Sequence, residues 1–229
     1  ALTGCFPLVA GGMVTGALVA SDRRTTGTVA EDQGIEVKAA NRIQDSLGDR
    51  AHVNVTSYNR QVLITGEGRA FCVGADPHPP KGGRTAFDRR QYLKGEQDAC
   101  HRLLHMKTPV IAAVNGYALG AGAEIAIASD FMLMAESAQI GLPEISIGNF
   151  LGGGVTWLLP RLVGLAKARE LVFLGERIGG EEAVRIGLAN RVFADEGFLD
   201  AARAFALKVA SKAPFSMQLA KEQLNLSAE

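Results

Sequence analysis

Apolar side chains at Val37, Ala40, Ile43 and Leu47 fall on one face of a helix, and Gly48 stops the run. Residues 53–58 and 61–65 then read as two strands around Asn59-Arg60, a hairpin candidate. The second strand runs through Gly66-Glu67-Gly68 into 70–76, and a loop follows in which Pro77, Pro79, Pro80, Gly82 and Gly83 exclude regular structure. Residues 87–106 carry charges spread around apolar positions and predict a helix. The unbroken apolar run 109–114 predicts a buried strand, because a strand covered on both faces loses its alternation. A glycine-dotted turn at Gly120 and Gly122 leads to a buried helix over 124–128, and 131–135 is a further strand. Gly141-Leu142-Pro143-Glu144 predicts a turn, and Gly152-Gly153-Gly154 opens a helix through Leu162. From Leu165 to Leu226, amphipathic helices alternate with one short strand at 189–193. No strict internal repeat is visible. Strand, glycine loop and helix in succession define an α/β chain.

Composition narrows what such a chain can do. Its 229 residues suit one large domain, or one domain with an appendage, and 47% apolar residues suffice for a core. The 24 basic and 24 acidic side chains cancel, so the basic face that nucleic acid requires is not expected. The 27 glycines point to backbones that approach each other, or a ligand, closely. Cys5, Cys72 and Cys100 are too few and scattered for a disulfide framework, and a reducing compartment is the default. Residues 1–21 are uncharged, but their glycines and threonines make a poor membrane span.

The candidate chemistry lies at two places where a strand passes through glycine toward a helix. Small residues admit a ligand to the backbone, and N–H groups left free before a helix point at developing negative charge. Val73-Gly74-Ala75-Asp76 is one such place and Leu119-Gly120-Ala121-Gly122-Ala123-Glu124 the other. Two donors from separate loops would form an oxyanion hole, each worth about 2.7–4 kcal/mol. Asp76 serves equally as a turn cap or as a ligand contact. Two carboxylates stand near this apparatus. Glu124 lies between Ala123 and Ile125, an expensive place for a charge unless it is paired or used. Its plain structural reading is a first-turn glutamate favoured by the helix dipole. Glu144, which follows Pro143, has the plain reading of a solvated turn residue. His101 and His105 have metal-ligand spacing without the glutamate or third ligand of a zinc motif, so a surface pair is expected and no metal site. No Walker lysine or dinucleotide glycine pattern is present.

Residues 62–229 resemble the crotonase, or enoyl-CoA hydratase/isomerase, superfamily. The resemblance rests on VLITGEGRAFCVGAD (62–76), TPVIAAVNGYALGAGAEIAIASDF (108–131), AQIGLPEISIG (138–148) and GERIGGEEAVRIGLANRV (175–192), four blocks in order. It implies a spiral of ββα units that binds acyl-CoA thioesters and assembles as a trimer or a dimer of trimers. By the same resemblance the N–H groups of Ala75 and Ala121 form the oxyanion hole, with Gly74, Asp76, Gly120 and Gly122 beside the ligand. Glu124 and Glu144 match the two glutamates that hold and activate water in hydratases of the superfamily. The activity implied is hydration of a 2-enoyl-CoA, with an isomerase or acyl-CoA hydrolase as the alternative. The substrate brings its own coenzyme A, and no further cofactor is implied.

Residues 1–67 resemble something else. Leu2-Thr3-Gly4-Cys5 fits a bacterial lipobox, and residues 21–67 are similar to the opening of BON-domain lipoproteins. This places a junction near VLITGE (62–67), dividing a BON-like segment, 1–61, from a crotonase-like domain, 62–229, that lacks the superfamily's usual start and last helices. Lipidation of Cys5 would put the chain at the cell envelope, and the remaining reading is then a non-catalytic envelope protein. Acyl-CoA is a cytoplasmic substrate, so the cytoplasm is the expected location.

Overall fold

The computed structural model describes residues 61–74 and 85–226, the backbone of 54–58, and helical residues 30, 32–34, 36–38 and 41. The lipobox-like Leu2–Cys5, the proline-rich loop, and site candidates Ala75 and Asp76 lie outside the described residues.

β1 (Asn54–Tyr58) and β2 (Gln61–Thr65) pair antiparallel, as the hairpin pattern predicts. β3 (Ala70–Cys72) follows, then α1 (Ala86–His105), which starts at a capping box between Thr85 and Asp88. β4 (Val110–Val114) is wholly buried, in agreement with its unbroken apolar run. β5 (Tyr117–Leu119) leads into α2 (Ala121–Ile127). β6 (Phe131–Ala135) and β7 (Gln139–Gly141) precede a 3-10 turn at Ile145–Ile147, α3 (Val155–Val163) and α4 (Leu165–Leu174). The described chain ends with β8 (Arg177–Gly179), α5 (Gly180–Arg185), β9 (Arg191–Phe193), α6 (Phe198–Ala210) and α7 (Pro214–Leu226).

The strands form two sheets, ordered β1-β2-β4-β6-β9 and β3-β5-β7-β8. Among the described strands only the β1–β2 and β7–β8 pairs are antiparallel. Each of β2–β3, β4–β5 and β6–β7 gives its first strand to one sheet and its second to the other, with helix following. This is the ββα spiral. The repeat is invisible to sequence periodicity because β3, β5 and β7 have only three residues each. Their pairing, Ala118 with Ile140 for example, joins residues far apart in the chain. α2 also starts three residues before its apolar run, at Ala121.

Ile111, Leu133, Met134, Ile140 and Leu159 are fully buried at the centre of the core. Each such side chain contributes about 1.5–3 kcal/mol. α6 lies along β2 and β4, and its buried face is mainly alanine, Ala202, Ala206 and Ala210, which lets it come close. At the other end, α7 sends Asn225 to the Leu104 carbonyl and Lys221 to the Leu103 carbonyl, supplying donors to the last turn of α1. Among the described residues no helix is long and apolar enough to cross a membrane.

Candidate active site

The site forms where β3, α2 and the turn after β7 converge. Gly74 has φ +96°, and a side chain there would stand 3.1 Å from the Leu119 carbonyl and 3.6 Å from the Ala121 nitrogen. The two glycine loops singled out in the sequence therefore meet, with residue 74 against the start of α2. Gly120, also at positive φ (+57°), donates its N–H to the Gly141 carbonyl at 3.1 Å. The next residue, Ala121, is the first of α2, and a first-turn N–H has no partner within its own helix. Gly122 serves packing: any side chain would run into the Cys72 carbonyl. That contact fixes α2 against β3.

Glu124 is 0% exposed and Glu144 7%. The plain reading of Glu144 as a solvated turn residue is thereby overturned. The turn folds inward because Glu144 heads the 3-10 turn, its carbonyl accepting from Ile147 at 3.2 Å and Asn149 at 2.8 Å. Its Oε1 lies 3.2 Å from where a Gly120 side chain would begin, so glycine at 120 makes room for this carboxyl. Glu124 Oε2 accepts from the Gly153 N–H at 2.9 Å. Glu124 Oε1 and Glu144 Oε2 are buried without a hydrogen-bond donor. Buried oxygens of that kind cost about 1–3 kcal/mol each, more when charged, and persist where a ligand or a proton completes them.

The electrostatics follow from burial and from like charge. Burial raises Glu124, the Gly153 N–H opposes this, and the charges of Glu96 and Glu144 raise it further, to about 7. Burial also raises Glu144; its own backbone N–H opposes, and the Glu96 charge adds to the rise. Two carboxyls with raised proton affinity in one place are suited to proton exchange. Sequence reasoning passed over Glu96. The signal was available, since Glu96 lies three residues after Leu93 and four before buried Cys100, a charged residue on the apolar stripe of α1. His101 and His105 are exposed and stacked at 4.0 Å, a surface pair as expected.

Two sheets sharing ββα units, with a pair of buried carboxyls beside a free helix start, define a crotonase-type fold. The family model described as enoyl-CoA hydratase/isomerase matches residues 51–229, and the chain belongs to that family. The match takes in β1, ahead of residue 62. The chain is 39% identical over 165 residues to a short-chain-enoyl-CoA hydratase from Clostridium acetobutylicum, covering 72% of this chain and 63% of the relative. It is 38% identical to a crotonyl-CoA hydratase from Syntrophomonas wolfei, with the same 72% and 63% coverage. The chain thus spans 63% of the length of both relatives. Among solved structures, an enoyl-CoA hydratase from Bacillus anthracis superposes with TM-score 0.70 at 32% identity, covering 84% of this chain and 76% of that one.

Proposed function

We propose that the protein hydrates 2-enoyl-CoA thioesters, with Glu124 and Glu144 acting together on one water. The observation that carries this reading is the burial of both carboxyls, each with an oxygen lacking a donor, beside the start of α2. The thioester oxygen is held by the N–H of Ala121, joined by that of Ala75, and becomes enolate-like as the reaction proceeds. Water bridges the two carboxyls. One carboxylate takes a proton from the water as its oxygen bonds to the β-carbon, and the other carboxyl gives a proton to the α-carbon. The sum is H and OH added across the double bond, with no electrons transferred to a cofactor. The two glutamates titrate as a set, so the acid and base roles belong to the pair. Gly74 and Gly120 keep the ligand-facing backbone bare.

Two glutamates favour hydration over double-bond isomerisation, for which superfamily members commonly keep one. An acyl-CoA substrate favours a cytoplasmic location. Assembly as a trimer or hexamer would cover apolar side chains such as Phe150 and Phe173, both 66% exposed. The test is product analysis after incubation with crotonyl-CoA and with a 3-enoyl-CoA. Formation of 3-hydroxyacyl-CoA supports the reading; a shifted double bond without added water refutes it.

A further inference from the structure

The enclosure of Glu124 contains a third carboxyl. Glu96, on α1, is half-buried and lies within hydrogen-bonding reach of Glu124. Its Oε2 stands 2.6 Å from where a side chain on Gly152 would begin. The neighbouring Gly153 is equally constrained: a side chain there would meet Cys100 Sγ at 2.7 Å and Glu124 Oε2 at 2.7 Å. The Gly152-Gly153 backbone is therefore the wall against which both carboxyls press, and it is buried. A hydrogen bond between two carboxyls needs a proton on one of them, since ionised carboxylates only accept. Among the described residues, the groups that face this pair are Glu144, from the turn after β7, Cys100, from α1, and the Gly153 N–H. None of them supplies a positive charge. Cys100 is pushed up to about 12 by burial and by the charges of Glu124 and Glu96, so it stays a neutral thiol. Among the described residues no group of three or more His, Cys, Asp or Glu side chains is placed to hold a metal ion.

We propose that Glu96 is a third member of the site, a positioning residue that holds one proton in common with Glu124 against the Gly152-Gly153 backbone. Sharing that proton fixes the rotamer of Glu124 and sets the pH at which its free oxygen becomes a base. The kinetic consequence rests on the hydratase reading; the shared proton does not.

Glu96→Gln keeps the shape, removes a negative charge and supplies a permanent amide donor. It should move the ionisation of Glu124 to lower pH by about one unit or more. Infrared difference titration of the protein without substrate reads this as a downward shift of the pH at which the protonated-carboxyl band disappears. Glu124→Gln should shift or remove the same band. Gly152→Ala, which pushes Glu96 aside without changing any charge, should shift it in the same direction. In crotonyl-CoA turnover, the acidic limb of the kcat/KM profile should follow the infrared shift in Glu96→Gln. An unmoved band in both Glu96→Gln and Gly152→Ala overturns the proposal, even if turnover falls. A shifted band in a protein that never hydrates crotonyl-CoA upholds the shared proton and refutes the hydratase reading alone.

Discussion

Among the described residues, the buried charges around Lys221 and those around Glu124 contrast a paired site with an unpaired one. Lys221 on α7 is 7% exposed, yet its ammonium donates to Asp130 at 2.6 Å and to the carbonyls of Leu103 and Thr108 at 3.1 and 3.3 Å. Asp130 in turn accepts the Val110 N–H at 2.7 Å. Burial raises Asp130, but the charge and hydrogen bond of Lys221 oppose it. Every group there has its opposite, and the effect is to tie α7 to the end of α1 and the start of β4. The carboxyls of Glu96, Glu124 and Glu144 have like charges for neighbours, and among the described residues only backbone donors, the N–H of Gly153 and Glu144's own, oppose them. Folding gains nothing from that arrangement. An arrangement that costs stability and raises proton affinity, to about 7 at Glu124, suits acid–base chemistry.

The contrast breaks if the two clusters respond alike to substitution. Glu124→Gln and Glu144→Gln should each lower kcat for crotonyl-CoA by about 10²–10⁴-fold while the protein still folds, as steady-state assays and circular dichroism will show. Lys221→Ala should do the reverse. It removes a buried ammonium from three acceptors, and because Asp130 keeps solvent contact it should cost about 1–3 kcal/mol in urea unfolding, with kcat little changed in the fraction that remains folded. Ala121→Pro removes one N–H at a helix position that tolerates proline, and should lower kcat by about 10²–10³-fold without touching a carboxyl.

The smallest effect is the most diagnostic of sign. Glu124 holds a proton at about 7 in the folded chain against 4.5 as its ordinary value. A raised carboxyl stabilises the fold below its unfolded value and loses that contribution as pH climbs through the folded one. Wild type should thus weaken between about pH 4.5 and 7 relative to Glu124→Gln, which cannot ionise. Thermal melts should show the variant gaining on wild type at pH 8 but not at pH 4, by about 2–4 °C for each kcal/mol. An equal difference at both pH values would place Glu124 among the compensated charges.

Much of this contrast was legible in the sequence, and the rest fails for identifiable reasons. The buried strands Val110–Val114 and Phe131–Ala135 announce themselves by continuous apolar runs, and Glu124 stands out because it interrupts one. Glu144 does not, since proline and glycine around it read as a solvent-facing turn. The 3-10 turn directs Glu144 inward, and Gly120, placed by pairing between β5 and β7, leaves room for the carboxyl. Glu96 was legible only as a charge on the apolar stripe of α1, and its approach to Glu124 depends on two glycines more than fifty residues later. Three-residue strands such as Ala70–Cys72 carry no period, and partners distant in sequence decide where they lie. Like-charge neighbours arise only in three dimensions.

The most direct test follows the loss of the conjugated thioester absorbance of crotonyl-CoA in wild type beside Glu124→Gln and Glu144→Gln. Turnover in wild type, lost in both variants with the fold intact, is the result this account predicts. Turnover that survives either substitution would contradict the claim that two buried carboxyls work on one water.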